Sequence, residues 1–290
     1  MASMTSTDSE QTGDVLVIGA SGQLGGMLRR HWPVAGELRC HSRRPIPGFI
    51  PFELPKPGGA ASDTALSAAR GVRAIICLAG VTPAAAKRSG ALLSENANLA
   101  LATLELAQEA AVPRVFFASS AAVYGARGGM LRETDEPTPL SEYGRAKLEM
   151  EQTVLARGVT GTTVLRIGNV AGADAILGGW RPGMQIDQFP DGRTPRRSYI
   201  GPVTFARVLH RLCASNELPS VLNLSAPGAV EMGALLDAAG LPWEPRPAAE
   251  GSIAEVQFDT NMLERLVDFA PENESPAGLV GEWQKDRNHS

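Results

Sequence analysis

Short, wholly apolar runs alternate along the chain with longer stretches that repeat apolar residues at helical spacing. Val15-Leu-Val-Ile18, framed by Asp14 and Gly19, is the first such run. An unbroken run of this length suits a strand buried on both faces, as in a parallel sheet. Residues 37–41, 72–79, 114–118, 162–166 and 220–224 read as further strands. Helical spacing appears between them, through Met27 to His31, Ala91 to Ala111, Glu142 to Ala156 and Val203 to Ala214. Strands alternating with helices predict βαβ units. Right-handed crossovers then place helices on both faces of the sheet.

The pattern changes after residue 172. Ala173 to Pro195 is rich in Gly, Pro and Asp and reads as loop with short elements. Helices follow at 231–239 and near 260–267 within Pro-rich sequence. The predicted fold is α/β: a Rossmann-type, doubly wound parallel sheet with a small C-terminal substrate-binding subdomain. Residues 13–172 form the dinucleotide domain, 203–225 return to it, and 173–290 supply most of the smaller part. Residues 1–12, rich in Ser and Thr, read as a disordered or non-native start and lack the features of a signal peptide.

Composition narrows the partners. A chain of 290 residues can bury a sizeable core. Its net charge of −4 argues against nucleic-acid binding, and no apolar run has membrane-spanning length. The three cysteines, Cys40, Cys77 and Cys213, are far apart, and the four histidines form no cluster, so no metal site is expected. A reduced, cytoplasmic protein is the simplest reading.

The first chemical signal is Gly19-Ala-Ser21-Gly22-Gln23-Leu24-Gly25, joining the first strand to the first helix. A helix N-terminus offers unpaired N–H groups and partial positive charge to a pyrophosphate, and glycines let the backbone come close. The alternative is a tight strand–helix turn with no ligand. NAD binders carry an acid about 20 positions on, for the ribose hydroxyls. Here His41-Ser-Arg43-Arg44 has none, and Arg43 stands 18 positions past Gly25. A guanidinium there favours the 2′-phosphate of NADP(H), with NAD(H) the alternative. Glu53 is a candidate adenine contact.

The second signal is Tyr143 and Lys147, which share one face of a helix at i and i+4. A tyrosine can move a proton near neutral pH if a nearby ammonium favours phenolate. Such a pair alone is as readily a solvated helix face. Ser120, at the carboxyl end of the buried run Phe116-Phe-Ala-Ser-Ser120, makes it more specific. Ligands of open α/β sheets bind beyond those strand ends, where Ser120 could meet Tyr143 over a nicotinamide.

GASGQLG, the LAG of Leu78-Ala79-Gly80, ENANL around Asn98, SSAAVYG, YGRAK and RIGNVAG occur in one order over residues 14–172. Together they resemble the extended short-chain dehydrogenases/reductases, the NAD(P)-dependent epimerase/dehydratase family. The resemblance implies that Ser120 and Tyr143 are catalytic. Lys147 would bond the nicotinamide ribose and lower the tyrosine pKa. Leu78, Ala79 and Gly80 would pass along the cofactor, Asn98 would support the site, and Asn169 would lie near nicotinamide and substrate. Arg197, before Ser198-Tyr199, matches the family arginine that contacts nucleotide phosphates. The family's histidine and aspartates are replaced by Gly201-Pro-Val-Thr204, and the substrate part is short. Family members often dimerise through the helices that correspond to 91–111 and 142–156, so a homodimer is expected.

The expected function is NAD(P)-dependent hydride transfer at a sugar-like carbonyl or alcohol, the small-molecule substrate being nucleotide-linked. The alternative is an NAD-dependent nucleotide-sugar 4-epimerase. A non-catalytic cofactor sensor would not need Ser120, Tyr143 and Lys147 together. A dehydratase would usually carry acids beside the catalytic serine, where this chain has Ser119 and Ala121.

Overall fold

A computed structural model describes residues 13–289. The expected start at 1–12 lies outside the described residues. Strands of the main sheet are numbered β1 (Val15–Ile18), β2 (Leu38–Ser42), β3 (Ile50–Pro51), β4 (Ala74–Cys77), β5 (Val115–Ser120), β6 (Thr162–Ile167) and β7 (Val221–Leu224). They run parallel in the order β7-β6-β5-β4-β1-β2-β3. The direction of winding reverses between β1 and β4, so a crevice opens beyond the carboxyl ends of those two strands.

The four residues of β1 are all fully buried, because helices cover both faces. Val15 and Val17 face α1 (Gln23–His31) and α6 (Pro202–Ala214), and pack with Leu28, Phe205 and Leu209. Leu16 and Ile18 face α2 (Asp63–Ala69), α4 (Glu95–Glu109) and α5 (Glu142–Leu155), and pack with Ala69, Leu104 and Val154. Between α2 and α4 lies a short helix, α3 (Pro83–Ser89), none of whose residues is buried. Its polar and alanine-rich sequence carries no apolar stripe, so helical spacing did not reveal it. Thr82 caps its start, Pro83 opens it, and Gly90 in the left-handed region closes it.

The smaller part is built beside the carboxyl ends of β5 to β7. Residues 129–131, 196–197, 230–231 and 255–258 make a four-stranded sheet. Tyr199–Ile200 pairs with Asn169–Val170, and Gln185–Gln188 with Glu244–Pro247. After α7 (Met232–Ala238) and α8 (Asn261–Glu264) comes α9 (Pro276–Asn288), which sequence spacing also missed because Gly278 and Gly281 interrupt its apolar positions. Trp283 and Leu279 of α9 join Leu235 and Leu236 in a separate apolar core. Glu282 accepts from the Thr204 N–H and hydroxyl at 2.8 and 2.6 Å. Asp286 binds Arg30 of α1 at 2.7 Å. The last helix thus fastens the smaller part to the first helix of the dinucleotide domain. Among the described residues no helix is long and apolar enough to cross a membrane.

Candidate active site

The chain leaves β1 through a glycine with no room for a side chain. Gly19 has φ +82°, and a Cβ on it would lie 2.7 Å from the Ala79 nitrogen. At Gly25 a Cβ would lie 2.6 Å from the Ala20 backbone, so α1 can seat against the turn only without one. Gly22 caps α1 with no side-chain bond and no acid in the first turn, which leaves the positive end of the helix uncompensated. These are the features of a pyrophosphate cradle. Gln23 is otherwise engaged, its amide donating to the Gly172 carbonyl at 2.9 Å.

His41, at the end of β2, supports this turn. Its Nδ1 accepts from the Gly19 N–H at 3.2 Å while Nε2 faces the Phe52 carbonyl at 2.9 Å. That pairing assigns the proton to Nε2, and burial holds the imidazole pKa below its ordinary value. A neutral histidine therefore stands directly under the loop.

Two adjoining hollows run from this point, of about 360 and 460 Å³, sharing Gly19, Gly22, Leu78, Gly80 and Val81. The first is lined by Ser21, His41, Ser42, Arg43, Glu53, Ala79 and Glu95. Arg43 makes no hydrogen bond or ion pair among the described residues and is exposed there. Arg44 does not line the hollow. Its backbone N–H bonds the Ser42 hydroxyl, which turns the chain away. The second hollow holds Gln23, Leu24 and Gly25 at one end and Ser120, Tyr143 and Lys147 at the other.

Ser141 caps α5, accepting from the Gly144 N–H at 3.0 Å. A Cβ on Gly144 would lie 2.4 Å from the Ala122 carbonyl oxygen, so this glycine lets α5 press against the turn after Ser120. Tyr143 is thereby brought near Ser120, and the two line the same hollow. Ser119 is committed to Glu151, to which it donates, whereas Ser120 at the end of β5 stands beside Tyr143; both serines line the second hollow.

The electrostatics differ from expectation in one respect. Burial pushes the Tyr143 hydroxyl above its ordinary pKa, opposed by the neighbouring Ser120 hydroxyl. The Lys147 ammonium donates to the Ala118 carbonyl at 2.8 Å and does not lower the tyrosine in this geometry. Lys147 is itself brought down to about 8 by burial, opposed by Cys77 and Glu151. Its amine sits beside Gly80, where a Cβ would lie 3.2 Å from Nζ.

Three expected residues stand elsewhere. Asn98 is exposed, on the outer face of α4, with its amide 3.4 Å from Glu95. The asparagine under the site is Asn96, which accepts from the Val81 N–H at 3.1 Å and donates to the carbonyls of Val81 and Leu93. Of the two asparagines in ENANL, the helical phase turns the first inward. Asn169 does not line either hollow, and its amide lies 3.4 Å from the Ser198 carbonyl. Arg197 is half-buried and also outside them. It donates to the carbonyls of Arg196 at 2.7 Å and Ile253 at 3.0 Å, and has no carboxylate partner among the described residues. Sequence reading did not find Arg88 of α3, which lines the second hollow.

The NAD dependent epimerase/dehydratase family model matches residues 15–183, more than half of the chain. The chain belongs to this family. Its extended dehydrogenase/reductase motifs are therefore carried on the family's own frame. A UDP-glucose 4-epimerase from Azospirillum brasilense is 31% identical over 173 residues, covering 55% of this chain and 50% of the relative. The chain thus spans about half the length of that curated relative. Among solved structures, MoeE5 in complex with UDP-glucose and NAD matches at TM-score 0.72 and 24% identity, over 96% of this chain and 100% of the other. A UDP-glucose-4-epimerase from Stenotrophomonas maltophila matches at TM-score 0.74 and 19% identity, over 96% and 99% of the two chains. TunA, an NDP-hexosamine 5,6-dehydratase, matches at TM-score 0.72 and 18% identity, over 96% and 99%. At these identities the structural likeness is one of fold.

Family membership does not separate the two asparagines, but their surroundings do. Asn96→Ala leaves buried backbone groups of the Val81 turn unpaired and should cost about 2–3 kcal/mol in urea unfolding. Asn98→Ala should change stability by less than about 0.5 kcal/mol. Equal effects would refute the assignment.

Proposed function

We propose that the protein is an NAD(P)-dependent oxidoreductase acting on a sugar carbonyl or alcohol, with the sugar carried on a nucleotide. The observation that carries this reading is the convergence of Ser120, Tyr143 and Lys147 at one end of a cleft that continues to the glycine turn and Arg43. A bound nicotinamide dinucleotide would supply or accept the hydride. The protein's own residues handle the oxygen. Ser120 holds it by hydrogen bond, and Tyr143 exchanges the proton. In reduction the phenol gives its proton to the oxygen as the carbon gains hydride, leaving a phenolate that Lys147 can face. The raised Tyr143 pKa keeps the phenol protonated at neutral pH, the form that reduction requires.

Arg43 supports NADP(H) over NAD(H): β2 ends without an acid for the ribose diol, and this guanidinium is uncommitted at the rim of the first hollow. The MoeE5 and Stenotrophomonas structures contain NAD. The dinucleotide's form is thus where our reading departs from those proteins. Arg197 supports a nucleotide-linked substrate, since a half-buried cation with only carbonyl partners is suited to a diphosphate.

The second reading is a 4-epimerase with tightly held NAD, favoured by the Azospirillum relative. Such an enzyme would convert UDP-glucose to its 4-epimer with no added reductant, and a reductase would not.

The resemblance also implies a homodimer through α4 and α5. The exposed positions of this face, including Asn98, Arg145, Glu149 and Gln152, are polar, with Leu92 and Leu140 exposed near the helix starts. Light scattering should give twice the 30.5 kDa chain mass, and a value equal to that mass would remove the dimer.

Tyr143→Phe should lower kcat by about 10² to 10⁴ with little change in cofactor affinity. Full activity would sink the mechanism. In fluorescence titration NADPH should bind at least about tenfold more tightly than NADH, a preference worth about 1.4 kcal/mol. Arg43→Ala should erase it, and an unchanged preference would refute the role of Arg43.

A further inference from the structure

Behind the cleft, one helical turn beyond Lys147, lies a carboxylate that the reaction itself does not use. Glu151 is 2% exposed. It accepts the Ser119 hydroxyl, and meets Nε and Nη2 of Arg166 on β6 at 3.2 and 2.8 Å. Arg166 continues to the Tyr124 hydroxyl at 3.1 Å and the Glu133 carbonyl at 3.2 Å. Tyr124 in turn donates to Asn223 at 2.7 Å. A single buried anion therefore touches the neighbour of Ser120 and shares an α5 face with Lys147.

We propose that Glu151 is a positioning residue for hydride transfer, holding Ser120 and Lys147 in place through Ser119 and the shared face of α5. The inference rests on the reading of Ser120, Tyr143 and Lys147 as the reacting set.

Two physical effects carry it. The first is positional. Anchoring Ser119 on Glu151 ties the carboxyl end of β5 to α5, and so fixes the backbone from which the next residue, Ser120, reaches the start of that helix and Tyr143. The second is electrostatic. The groups that face Lys147 are the Cys77 thiol of β4 and, on α5, Tyr143 and Glu151. Arg166 of β6 lies behind Glu151, and Arg88 of α3 lines the same hollow. Glu151 is the only carboxylate among them. Burial of the thiol raises the Cys77 pKa and keeps it neutral near pH 7. The carboxylate thus offsets the burial that disfavours the ammonium. Arg166 pairs with the same carboxylate, so the three groups together hold one net positive charge.

Lys147 is an ammonium below about 8 and an amine above it. An ammonium grips the cofactor's ribose better than an amine, so affinity should fall as pH rises through that point. Without the carboxylate the fall should come at lower pH. NADPH and NADH titrations from neutral to alkaline pH should show the midpoint about one unit lower in Glu151→Gln. That is about tenfold less ammonium above the midpoint. Glu151→Gln/Arg166→Met removes both charges and keeps an acceptor for Ser119. It should recover the thermal midpoint of unfolding yet keep part of the shift, because Glu151 acts on Lys147 more directly than Arg166 does; a merely structural role would leave no shift once stability returns. Glu151→Asp should restore much of the wild-type profile.

A wild-type midpoint in either folded variant overturns the proposal, and if the single variant fails to fold, the double variant decides. Tyr143→Phe keeps the two questions apart. Its full activity would remove the reaction reading, whereas an unshifted titration with inactive Tyr143→Phe removes only the role of Glu151.

Discussion

The close approach of two backbones at the ends of β1 and β4 is the constraint on which the rest depends. A side chain on Gly19 would strike Ala79, and one on Gly25 would strike Ala20. The turn can therefore close tightly only with hydrogen in both places. Closing it aims the first turn of α1 into the crevice, and His41 holds it there through the Gly19 N–H. Because the winding reverses at this same point, the crevice is open to solvent while its walls are rigid strand ends. Everything placed along it, from Arg43 to Tyr143, inherits its position from those strands.

A second constraint operates deeper in. Burying Glu151 and Arg166 together costs desolvation that their attraction only partly offsets. The pair is satisfied on every side by Ser119, Tyr124 and the Glu133 carbonyl. Breaking one partner would leave a charge stranded, so the network permits a single arrangement of β5, β6 and α5. Asn223 extends it to the smaller part, donating to the carbonyls of Leu131 and Asp259. The end of the cleft that holds Ser120, Tyr143 and Lys147 is thus built against a polar core, whereas the glycine turn rests on an apolar one.

Much of the fold was legible because parallel strands buried on both faces leave unbroken apolar runs. The helices that escaped, α2, α3 and α9, lack a clean stripe: α2 is seven residues long and buries three alanines and one leucine, α3 buries nothing, and α9 is interrupted by glycines. Gly19 to Gly25, Ser120, Tyr143 and Lys147 were legible from type and spacing. Asn96 was not separable from Asn98, since two residues apart on a helix differ only in which side faces inward. The state of Tyr143 was also out of reach. A neighbouring lysine predicts a lowered pKa, but burial wins where the ammonium is turned toward the Ala118 carbonyl.

The amino-acid sequence by itself determined which chemical groups are present, the order of strands and helices, and the glycines that make a tight turn possible. These depend on neighbours close along the chain. Only the tertiary structure decided which asparagine lies beneath the cleft, what Ser119 binds, and which charges remain uncompensated. Those outcomes are set by residues far apart in the chain, such as Glu151 against Ser119 and Arg166, and by how much water burial removes. Pairings of that kind are energies of packing and desolvation, and no local pattern encodes them.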